Sequence, residues 1–336
     1  MYFLIALLPA LLYGFMGLVL MKLGGDSRQQ TVGLAGGAIG VAVILALVVG
    51  LDTGAGTVIP AVAGGGVVGA GIYFQLRGFH KIGVSRVMPP STGLQLIGIS
   101  LLGVLMFGEW LGTPALPVGL IGLALVVAGV TLTAWEEDSV ADADEDVFAI
   151  PYDPLPVVDS GLIKQVSAKE ARAARKAKKK KRPEQWVSGM IDTLVSTALF
   201  IAFPIIIRYW EVDPLRSFLF QTIGIAGVAV LLTFPFFTPA LGPRDTRWSK
   251  YTLRATIPGA MWGLGVVLMQ FSQITVGVAV GFSLSQLGVI ISTFGGILFL
   301  GEKRTRKEMI SITIGVALLV VGALLLGWAK TLDVPA

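Results

Sequence analysis

Ten apolar runs set the terms for this chain, at about residues 2–21, 31–51, 57–76, 86–107, 115–134, 187–207, 216–236, 254–273, 277–300 and 308–328. A helix rises 1.5 Å per residue, so about twenty apolar residues cross a ~30 Å hydrocarbon core. The repetition predicts an all-α, multi-pass membrane protein. Composition agrees: 54% of the 336 residues are hydrophobic and 14% charged, unlike a soluble domain. The 43 glycines suit closely packed membrane helices. The absence of cysteine removes disulfides and thiolate metal sites, and a single histidine leaves little for a metal centre or a hydrolytic triad. No nucleophile–base pair can be assembled, so neither an enzyme nor a cofactor is expected. The first run lacks a basic n-region and is long enough to span, which reads as helix 1 rather than a cleaved signal.

The runs are duplicated. With Glu109 placed over Glu302, Gly103–Glu109 (GVLMFGE) aligns without a gap on Gly296–Glu302 (GILFLGE). At the same offset Ile121–Trp135 falls on Ile314–Trp328, with eight of fifteen positions identical. Upstream, Ile59-Pro60 and Gln75 correspond to Ile257-Pro258 and Gln273 at a slightly different offset. Five spans per repeat is an odd number, so the second repeat must enter from the opposite side. The predicted fold is therefore ten transmembrane helices in two inverted five-helix repeats, residues 1–135 and 187–336, joined by a linker over 136–186. Of the 26 Lys and Arg, 23 fall in the loops after the odd-numbered helices. The positive-inside rule then puts those loops in the cytoplasm and both termini outside the cell membrane.

The linker opens acidic, from Glu136 to Asp146, and closes basic in KEARAARKAKKKKRPE. It reads as a solvated tether. The alternative is a juxtamembrane basic helix held on anionic lipid. Nucleic acid is not an expected partner, because no aromatic residues interleave with the charge. No oligomeric state is predicted.

Within Gly83–Trp110, a polar cluster of Ser91, Thr92 and Gln95 follows Pro89-Pro90. Gln95 lies roughly 13 Å below the surface marked by Arg86, near the midplane. Prolines beside it predict an irregular backbone of the kind transporters place around a substrate. In the second repeat Ser283, Ser285 and Gln286 reach about the same depth. Interhelical hydrogen bonding is the plain account of such serines, and it is favoured for Ser292 and Gly288. Buried carboxamides are costlier, which favours a binding role for Gln95 and Gln286. Tyr73 and Trp262 could cover the C–H face of a sugar, or simply fill the core. With few charged groups at mid-membrane, a small neutral polar solute fits best. Glu109, Glu302 and Asp192 are candidates for coupling or gating, against ordinary surface ion pairs. His80 is expected in a loop, and Gln75, Gln270 and Gln273 are possible cavity groups.

ALLPALLYG with KLGG, GVSRVMPPSTGLQL with FGEW, and GFSLSQLGVIISTFGGILFLGEK together resemble the glucose/ribose porter family of the drug/metabolite transporter superfamily. The resemblance implies uptake of a monosaccharide, glucose or ribose, driven by protons. It marks Met88, Ser91, Thr92, Gly93, Gln95, Glu109 and Trp110, then Ser283, Ser285, Gln286, Gly295, Gly296 and Glu302, without assigning each a role. The long central loop, Pro90 and Asp192 depart from the family pattern. An exporter of metabolites or drugs, and a membrane sensor whose basic loop recruits partners, remain as alternatives.

Overall fold

The computed structural model describes residues 2–108, 110–135, 168–276, 284–302 and 304–333. Glu109, Ser283 and the acidic half of the linker thus lie outside the described residues. Within them the chain forms ten helices and no strand: α1 (Tyr2–Leu23), α2 (Ser27–Val49), α3 (Ala55–Ile82), α4 (Val84–Phe107), α5 (Ala115–Ala134), α6 (Ala168–Tyr209), α7 (Phe218–Leu232), α8 (Lys250–Val276), α9 (Gly288–Phe299) and α10 (Arg306–Leu332). Seven of them, α2 to α6, α8 and α10, contain stretches long and apolar enough to cross a membrane. Large apolar side chains such as Leu47, Leu105, Leu253 and Leu298 point outward, as a lipid-facing exterior requires.

Three expectations need correction. The span expected over 216–236 is shorter: α7 stops at Leu232, and two 3-10 turns follow at Pro235–Phe237 and Pro239–Leu241. Each proline lacks the N–H that would continue the helix. The carbonyls freed here find Arg28, a fully buried side chain at the start of α2. Its guanidinium donates to the carbonyls of Gly242 and Arg244 at 2.9 Å and to both the hydroxyl and the carbonyl of Thr238. Secondly, the backbone at Pro89-Pro90 is regular, since α4 runs through both residues. Proline's φ is already helical, so the cost is two missing donors rather than a break. Pro60 in α3 and Pro258 in α8 sit inside helices in the same way. Thirdly, the basic half of the linker is helical rather than irregular: from Ala168 its backbone is the start of α6.

Helices from the two halves interleave. α3 packs on α6 and α7, while α8 packs on α1 and α2. α4 lies against α5, α6 and α9, and α5 pairs along its length with α10. Leu20, Leu34, Leu76, Phe79 and Val84 form the main core, and Trp110, Val126 and Leu319 a second one. The α5–α10 pair is close because glycines face each other. A Cβ on Gly129 would lie 2.6 Å from the Gly315 carbonyl oxygen. Gly129→Leu is therefore expected to halve, at least, the monodisperse protein recovered from membranes, since overpacking costs roughly 1–3 kcal/mol. Gly40→Leu, where an added Cβ meets nothing within 4 Å, should leave recovery at the wild-type level. Equal recovery of the two variants would contradict this account of the pair.

Candidate functional site

The α4 cluster forms as expected. Ser91 is 1% exposed and Thr92 is buried beside it. One helical turn on, the Gln95 carboxamide donates to the Ser91 hydroxyl at 3.1 Å. The partner across the interface is one the sequence reading missed: the Thr197 hydroxyl of α6 lies 3.0 Å from that of Ser91. Thr197 also donates to the Thr193 carbonyl at 2.7 Å, which fixes its rotamer. Ser91 is therefore held from two sides. The Gln95 carbonyl oxygen has no protein partner among the described residues and can accept from a ligand hydroxyl. Gln75, largely buried on α3, reaches the Met88 sulfur at 3.9 Å.

The second half of the chain builds a similar arrangement from other atoms. Gln286 donates to the Ser285 hydroxyl at 3.3 Å, and Ser285 to the Met269 sulfur of α8 at 3.5 Å. Tyr13 of α1 points its hydroxyl at the same sulfur, 4.0 Å away. Tyr13 was legible only as the tyrosine of ALLYG, with nothing to tell it from a packing residue. The first cluster thus leans on α6 and the second on α8, while α4 and α9 pack against each other. Ser292 donates to the Val289 carbonyl within its own helix, which agrees with a packing role.

The two aromatic rings have unlike surroundings. Trp262 is half-buried in the core, where it joins clusters that also hold Met88 and Tyr13. Tyr73 is buried on α3 and meets the Arg77 guanidinium, 5.5 Å from its ring centroid. Neither ring hydrogen-bonds to the serine–glutamine clusters among the described residues.

The acids are placed in ways the sequence did not foretell. Asp192, 4% exposed on α6, accepts from Lys81 at 2.6 Å and lies 3.3 Å from the Arg77 guanidinium. Lys81 also donates to Ser188 at 2.6 Å. α3 runs a turn and a half past the expected end at 76, which brings both cations across to α6. His80 belongs to that extension rather than to a loop, with Nε2 3.0 Å from Gln30 Oε1.

Glu302 is not a surface ion pair. It is 3% exposed and folds back onto the start of α4, where it accepts from the Val84 N–H at 2.8 Å and the Ser85 N–H at 3.1 Å. The Ser85 hydroxyl donates to the same carboxylate, and Arg304 in turn donates to that hydroxyl at 3.1 Å. Gly83, at φ 89°, ends α3 and opens α4 with no side chain of its own to cap it. A carboxylate from the far end of α9 supplies the cap, in favourable alignment with the helix dipole. At the other end of α4, Asp333 accepts from the Trp110 N–H at 2.7 Å.

Comparison with known proteins bears on what these clusters serve. The sugar transport protein family matches residues 4–171 and 165–329. A Listeria monocytogenes protein named for sugar uptake is 37% identical over 326 residues, 97% of this chain and 98% of its own length. The glucose uptake protein GlcU of Bacillus subtilis is 32% identical over 328 residues, 98% of each chain.

Proposed function

The chain belongs to the sugar transport protein family, and from that premise we propose that it imports a monosaccharide of the glucose or ribose class as a secondary transporter. The observation that carries the reading is the pair of hydroxyl–carboxamide clusters, Gln95 with Ser91 on α4 and Gln286 with Ser285 in the turn just before α9. Carboxamides and hydroxyls both donate and accept, which matches a polyol and gives a charged solute no counter-ion. In this reading Thr92 and Ser283 complete the lining, with Tyr73 and Trp262 as faces for the sugar ring.

The ten helices form two inverted repeats that rock about this site, cycling the sugar between the two sides. The way the helices pair supports this. Shifting helix numbers by five exchanges the α3–α6 contact with α8–α1, α2–α8 with α7–α3, and α4–α6 with α9–α1. α2–α7, α4–α9 and α5–α10 each map onto themselves. The charge distribution supports a cell-membrane orientation with the basic loops in the cytoplasm and both termini outside. Protons drive the cycle, with Asp192, Glu302 and Glu109 as the acids that couple or gate it.

The test is uptake of labelled glucose and ribose by cells lacking their own importers, with and without a protonophore. We expect accumulation that collapses with the protonophore. Gln95→Ala and Gln286→Ala should each lower it at least tenfold at wild-type membrane abundance, as loss of hydrogen bonds to a buried polar ligand implies. Undiminished uptake in both variants would remove the clusters from the site. Absent sugar entry, with the protein in the membrane, would remove the transport reading.

A further inference from the structure

α7 and α8 both lie on α2 but scarcely touch each other, so a cleft runs over α2 between them. It encloses about 630 Å³ and is open on one side. Gly36, Ala226 and Ala229 leave its floor bare, and Leu253, 72% exposed, stands at its rim among the outward-facing apolar side chains. Its polarity is graded. Along α2 and α7 the lining is apolar throughout, whereas Trp248 and Lys250 sit together at one end. None of the lining residues is a member of either serine–glutamine cluster, and the α8 residues that line it, Lys250 to Thr256, lie more than three turns before Met269.

A cleft that opens sideways from a multi-pass membrane protein, dry along its length and cationic at one end, has the polarity of a single phospholipid. We propose that it binds an anionic phospholipid, one acyl chain lying over Gly36 and the phosphate resting on Lys250. Charge selects the anionic class. Lys250 has no carboxylate partner among the described residues and lies 5.4 Å from the Tyr251 ring centroid. The nearby acids are engaged: Asp245 is held by Arg247, which lowers its pKa to about 2, and Asp26 accepts from Thr246 and the Gln29 N–H. Trp248, 73% exposed beside Lys250, is the kind of amphipathic ring that seats at headgroup level.

Native mass spectrometry of the delipidated protein with phosphatidylglycerol or phosphatidylcholine of identical chains tests this. One basic residue near the phosphate predicts about a fivefold preference for phosphatidylglycerol in the wild type. Lys250→Gln should bring that ratio close to one while chain binding persists. Gly36→Phe, at an exposed position where an added Cβ is 3.6 Å from its nearest neighbour, should lower binding of both lipids. Arg254→Gln, an exposed cation on α8 outside the cleft, should keep the wild-type ratio. Equal binding of the two lipids by the wild type would overturn the proposal. So would a preference that survives Lys250→Gln, or one that Arg254→Gln reduces as much.

Discussion

Glu302→Ala is expected to cost this protein both its thermal stability and its transport. The change leaves the buried N–H groups of Val84 and Ser85 without their acceptor, and each such loss costs roughly 1–3 kcal/mol. It also removes a negative charge from the helix N-terminus. The two ends held by this carboxylate belong to α4, which bears Ser91 and Gln95, and to the segment after α9, so these two helices lose a tie. We expect a melting temperature lower by several degrees and uptake below about a tenth of wild type, from the same loss of a buried hydrogen-bond network. Glu302→Gln keeps one acceptor oxygen for the Val84 N–H but sets an NH2 against the Ser85 N–H and hydroxyl, so it should recover stability only in part. Glu302→Ala melting at the wild-type temperature in a detergent thermal-shift assay would mean that the cap contributes nothing.

Asp192→Ala is the second change of large effect. It leaves Lys81 and Arg77 side by side with no counter-ion from α6. Removing one partner of a fully buried pair costs about 3–5 kcal/mol. The Lys81 and Arg77 side chains are 25% and 34% exposed, so solvent screening reduces the figure here to about 2 kcal/mol. Neutralising a cation as well, in Asp192→Ala with Lys81→Met, should restore part of the lost stability if the pair is the cause. A double variant no more stable than Asp192→Ala alone would point to another role for the acid. Uptake separates the two roles: a structural acid loses transport in step with folded protein, while a coupling acid loses accumulation from normally folded protein.

The membrane character of the chain was legible because ten apolar runs leave few alternatives, and most helices fall within a turn of the expected limits. Misses came where a local signal met a distant partner. The run over 216–236 looked like the others, but Pro235 ended its helix in a way that mean hydropathy does not register. At the site, the i, i+4 pair of Ser91 and Gln95 could be read from spacing, whereas Thr197 could not, because 106 residues separate it from Ser91. Glu302 misled for a related reason. Followed by Lys303 and Arg304, it looked solvated, but Gly83 and Gly296 leave room for its carboxylate at the start of α4, where an added Cβ at either would come within 3 Å of it. A glycine's contribution to another residue's burial is invisible one residue at a time.

Arg28 has a consequence for how the chain is made. Its acceptors lie at Thr238, Gly242 and Arg244, more than 200 residues further along. At about 5–20 residues per second, a ribosome delivers them some 10–40 seconds after Arg28 emerges. α1 and α2 wait about as long for α8, and α3 a shorter time for α6 and α7, against which they finally rest. Throughout that interval a bare guanidinium and several glycine-lined helix faces are open to lipid and to insertion machinery. The first five helices made alone should therefore be degraded rather than accumulate, and recover when the second five are supplied as a separate chain.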